Sequence, residues 1–111
     1  MTERASLSIG SRPHEVSIAR AFTAASLRTL GVDETGVEAA RVAVSELVSA
    51  AIGAGADTVR VDAGADGGQV ELSVIHDADS AELDDIAASI VGAAGSLTTV
   101  GDGWVLAVMA S

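Results

Sequence analysis

At GAGAD, residues 53–57, the hydrophobic period of the chain changes, and that change constrains the fold more than any other feature. Before it, Val37, Ala40, Val44, Leu47, Val48 and Ala51 recur at helical spacing, on one face of a helix that Asp33 can cap. After it, TVRVDA (58–63) and QVELSVIH (69–76) alternate like strands with one buried face, joined through Asp66-Gly67-Gly68, a hairpin signal. A segment cannot hold both periods at once, so a helix must give way to a strand there.

The same reading extends in both directions. ASLSI (5–9) is a short first strand. Pro13 suits the first turn of a helix on which Val16, Ala19, Arg20, Thr23, Leu27 and Leu30 follow, ending at Gly31 with Arg28 near its negative end. Asp79, with Glu82 three residues later, reads as a cap and its reciprocal acid, predicting a third helix through about Ala94. LTTV (97–100) and WVLAVMA (104–110) close the chain as strands around a turn at Gly101-Asp102-Gly103. The order β-α-α-β-β-α-β-β predicts an α+β two-layer sandwich, a mixed and mainly antiparallel sheet with helices on one face. With no repeat or linker, 111 residues suit a single domain, 1–111.

Charge narrows the partners. The formal charge is −10, and all six basic residues are Arg; after Arg60 the chain carries nine acids and no positive side chain. Such a surface repels nucleic-acid phosphates and anionic membranes and favours a basic protein face. Nucleic acid and membrane are therefore not expected as partners. No run is apolar enough for a signal peptide or a membrane span, so the expected location is cytoplasmic. The absence of Cys removes disulfides and thiolate chemistry. With twenty-two Ala, one Phe, one Trp and no Tyr, the core must come from close packing of small aliphatics.

Within SELVSAAIGAGAD (45–57) one acid stands among inert side chains. Glu46 shares a helix face with Ala39, Val42, Ala43, Ser49, Ala50 and Gly53. An unpaired carboxylate there must reach water, bond a hydroxyl such as Ser49, or take up a proton. His76 at a strand end is expected to be structural, and His14 to lie on the surface. HDADSAELDD (76–85) has the look of a calcium loop but fails it. Ala81 stands where an oxygen is needed, and Glu82 where the turn glycine belongs.

Two helices, the second carrying RVAVSELVSAA, then a hairpin whose second strand ends in VIHDADS, resemble the histidine-kinase-like ATPase fold. The likeness is closer to the bacterial anti-sigma-factor serine kinases of partner-switching systems, and runs from about Leu7 to Ala110. It implies an acid at Glu46 and, one turn later, a magnesium-holding asparagine; the latter position is Ala50. It implies an adenine-reading Asp at His76 or Asp77, depending on register. Ala78 and Ser80, or Asp79 and Ala81, then stand where glycines belong. The family's lid is also missing, since only DSAELDD separates the hairpin from the third helix.

The resemblance therefore implies a vestigial nucleotide site at Glu46, Ala50, His76 and Asp77, with no working catalytic residue, metal or cofactor. It implies a regulatory module that binds a protein, either a sigma factor or its antagonist, and that can form a homodimer. The contact candidates are Asp79, Glu82, Asp84, Asp85 and Trp104. Two alternatives stay open: an ATP- and magnesium-dependent serine kinase with Glu46 as base, and a small-molecule sensor reusing the emptied pocket.

Overall fold

The computed structural model describes residues 3–108. Its elements are β1 (Glu3–Ile9), α1 (Glu15–Thr29), α2 (Glu34–Gly53), β2 (Val59–Asp66), β3 (Gln69–His76), α3 (Asp85–Gly92), β4 (Gly95–Val100) and β5 (Gly103–Val108). The order follows the sequence reading element for element. Met109 and Ala110, expected to continue the last strand, lie outside the described residues.

Among the described residues the fold is α+β: three helices and a five-stranded sheet that is not closed into a barrel. The strand order is β1-β2-β3-β5-β4, and all four pairings are antiparallel, so the sheet is not the mixed one expected: β5 lies between β3 and β4, two strands that run in the same direction. β3 is thus the central strand. A two-residue turn at Gly67-Gly68 pairs Asp66 with Gln69, as the hairpin signal predicted.

The helix boundaries have local causes. The Asp33 carboxylate accepts a hydrogen bond from the Gly36 N–H at 2.8 Å, which opens α2. Helices α1 and α2 end alike. Val32 N–H donates to Leu27 and Gly31 N–H to Arg28; Ala56 and Gly55 repeat this with Ala51 and Ile52. These paired bonds require a left-handed residue, supplied by Gly31 (φ 86°) and Gly55 (φ 98°). This is why GAGAD stops the helix.

Some boundaries differ from expectation: β1 begins at Glu3, α1 at Glu15 with Pro13 ahead of it, and β4 at Gly95. The largest difference is at the third helix. The third helix begins at Asp85, not beside Asp79, and its cap is Asp84, whose carboxylate accepts from the Ala87 N–H at 2.7 Å. The reason is burial. Ala81 and Leu83 both pack against the core, and residues two apart share a side only in an extended chain. A helix opened at Asp79 would turn one of them outward.

The core is one cluster drawn from helices and sheet alike. It includes Leu27 of α1, Val37, Val44, Leu47 and Val48 of α2, and Val61, Leu72, Val74 and Leu106 of the strands. This arrangement fits a two-layer sandwich. Among the described residues, nine alanines belong to the buried set, including Ala40, Ala43 and Ala51 on α2. Small residues let α1 and α2 approach closely, which compensates for scarce aromatic bulk.

Candidate functional site

Glu46 and Ala50, one turn apart on α2, line a small cleft with Ser49. Its other wall comes from Glu82, Leu83 and Asp84, before α3, and from Ala87 in the first turns of α3. The cleft has a volume of about 230 Å³. Three carboxylates line it and no cation does. Asp84 is already engaged by its bond to the Ala87 N–H.

Glu46 is half-buried and makes no hydrogen bond or ion pair with the other described residues. Its oxygens are not among the sealed polar atoms, so the carboxylate reaches water. Ser49 is exposed and does not bond it. Among the described residues, no three His, Asp or Glu side chains gather closely enough to hold a metal ion.

The other two positions of the expected site stand apart from this cleft. The Asp77 carboxylate accepts from the backbone N–H groups of Asp57 and Thr58, at 2.7 and 3.2 Å, and from the Thr58 hydroxyl at 3.1 Å. It ties the end of β3 to the chain entering β2. His76 accepts from the Ala78 N–H through Nδ1 at 3.2 Å. Its ring lies 5.3 Å from that of Trp104, tilted by 46°. Both residues are thus committed to shaping the β3 end.

The contact candidates divide in the same way. Asp79, Glu82, Asp84 and Asp85 are all exposed along the approach to α3 and its first residue. Trp104 is only 3% exposed and belongs to the core, so its indole offers a partner almost no surface. The tryptophan leads a strand, and strand alternation from Leu106 and Val108 already points it inward.

The structure adds a polar cluster that the sequence reading did not single out. Asp62, on the opposite sheet face from Val61 and Ala63, accepts hydrogen bonds from the Ser6 hydroxyl and from Arg60 Nε, the latter at 3.1 Å. Ser6 lies directly across from Asp62 in the β1–β2 ladder. The available signal was the i, i+2 pair Arg60 and Asp62, which share a strand face.

Backbone hydrogen bonding makes two carboxylates sensitive to acid. Asp77 titrates below its ordinary 3.8, first because the Thr58 N–H donates to it, with Asp57 N–H and the Thr58 hydroxyl adding to the effect. Glu15 titrates below 4.5, held by Gly10 N–H and then Arg12 N–H. A depressed folded-state pKa gives stability that is present above the unfolded value and lost as pH falls through the folded one. Relief of repulsion among the many acids acts in the opposite sense. A difference measurement isolates Asp77: D77N is expected to lower the urea midpoint at pH 7, with the gap from wild type closing as pH drops below 3.8. A pH-independent gap would show that the carboxylate charge is not the cause.

No protein-family model matches the chain, and no curated protein does so either. The likeness to kinase-like ATPases therefore rests on the sequence pattern. The residues present do not fit magnesium and a triphosphate. Ala50 offers a methyl group that holds no cation, no three carboxylates among the described residues gather closely enough to do so, and Glu82 and Asp84 on the facing wall would repel phosphate.

Proposed function

We propose that this chain is a non-catalytic regulatory module that acts by binding another protein, on a scaffold resembling the anti-sigma-factor kinases. One observation carries the reading: the cleft at Glu46 and Ala50 is small, lined by three carboxylates and without a cation. A phosphate brought within a few ångström of each acid would meet a repulsion on the order of 1 kcal/mol or more at surface-like dielectric. Catalysis of phosphoryl transfer is almost wholly positioning and charge stabilisation, and neither is provided for here. A sigma factor or its antagonist is the proposed partner.

The kinase alternative makes the opposite prediction. Titration with a fluorescent ATP analogue and magnesium is expected to give no saturable binding at micromolar protein. Micromolar affinity, or transfer of labelled phosphate to any protein, would overturn the reading. A pull-down with and without ATP is expected to recover the same partner both times.

A further inference from the structure

We infer that the exposed groove between α2 and α3 receives a basic amphipathic helix from the partner protein. The inference rests on the binding-module reading and names the chemistry of the contact. Along α2, Thr35, Ala39 and Val42 follow one another at i, i+4 and i+7; along α3 and its C-cap, Ile86, Ile90 and Ala93 do the same. All but Ile86 line one groove of about 650 Å³, with Glu34 and Glu38 at its border. Ile86 extends the α3 row and is 75% exposed, the most exposed large hydrophobic among the described residues; Val42 is 36% exposed. Paired helical rows of this kind form the trough into which the apolar face of a third helix lies.

Charge selects the kind of helix. Glu34 and Glu38 are paired with Arg28 and Arg41, at 3.0 and 2.7 Å, so they contribute little net field. The field comes from the α3 side. Glu82, Asp84 and Asp85 directly precede or open that helix, Glu46 lines the adjoining cleft with Glu82 and Asp84, and nothing after Arg60 in the sequence is positive. Arg60 itself is paired with Asp62. A helix entering the groove beside Ile86 therefore meets an acidic flank, and Lys or Arg along its own edge would be drawn in and oriented. A helix with acidic edges would be repelled. Since α3 has only eight residues, about 12 Å of axis, the contact spans roughly two turns. Such a small interface gives a transient complex, of order micromolar affinity.

The test uses the whole chain and two synthetic peptides of about eighteen residues, five helical turns. Both carry leucine at i, i+3, i+4 and i+7; one has Lys and Arg elsewhere, the other Glu. Fluorescence anisotropy is expected to give micromolar binding of the basic peptide, weakening with salt, and none of the acidic one. Backbone amide NMR shifts are expected to concentrate at Ala39, Val42, Ile86 and Ile90. I86Q is expected to weaken binding at least about ten-fold, because a buried isoleucine side chain is lost from the contact. Ile86 is exposed, so an unchanged urea midpoint will confirm that I86Q keeps the fold.

Equal affinity for both peptides, shifts located elsewhere, or no binding at millimolar peptide would overturn the inference. So would sedimentation showing a dimer that I86Q dissociates, since the occupant would then be a second copy. Mg-ATP binding is read separately. If it is absent while the basic peptide fails, the groove assignment falls and the binding-module reading stands.

Discussion

Replacing Gly103 with alanine is expected to abolish cooperative folding or lower stability by at least about 3 kcal/mol. A Cβ at this position would lie 1.9 Å from the Val74 carbonyl oxygen, 2.9 Å from its carbon and 3.0 Å from the Ile75 Cα. These are backbone atoms of β3, the central strand, and cannot swing aside as a side chain could. Relief would require β5 to retreat from β3, disturbing the Val74–Trp104 and Ile75–Gly103 pairings. The bond from His76 N–H to the Asp102 carbonyl, at 2.9 Å, would be strained as well. Domains of this size hold only about 5–15 kcal/mol of stability, so the loss would be a large fraction.

Urea unfolding followed by Trp104 emission suits the test, since the buried indole meets water only when the sheet opens. G101A is the control: a Cβ there meets nothing within 4 Å, and its cost should stay within about 0.5 kcal/mol. Equal midpoints for the two variants would refute the close approach of β5 to β3.

Leu72→Ala is the second large effect, with an expected loss of about 2–5 kcal/mol. Leu72 is fully buried on the central strand, with Ala63 opposite it on one neighbour and Leu106 on the other. Its Ala63 neighbour is already a methyl group, so little side chain is available to fill the void. A core rich in alanine has few long side chains that can relax into a gap, which places the cost toward the upper end. L97A provides the comparison. Leu97 is half-buried on β4, an edge strand, and its truncation should cost clearly less. Similar losses for the two would mean that the central layer is not the main seat of stability.

Much of the architecture was legible from the chain alone. The period change at GAGAD, the Asp33 cap and the glycines at 31, 55, 67 and 68 all act through neighbours a few residues away, and each appears where expected. The candidate site was legible only in part. Glu46 and Ala50 share a cleft as one helical turn predicts, whereas His76 and Asp77 are drawn into tying β3 to β2 and to Trp104. A register argument can say which sheet face a residue takes, but not which loop its carboxylate will meet twenty residues earlier in the chain.

Element types and their order were written in short-range periodicity, capping residues and turn residues, because those interactions are satisfied within a turn or a hairpin. Tertiary packing decided the rest. It moved the cap of α3 from Asp79 to Asp84, since burying both Ala81 and Leu83 required an extended chain. It also turned Gly103 from an ordinary turn residue into a position where the β3 backbone leaves no room for a Cβ. Both outcomes depend on distances between strands and layers that are remote in sequence, and local patterns carry no record of those distances.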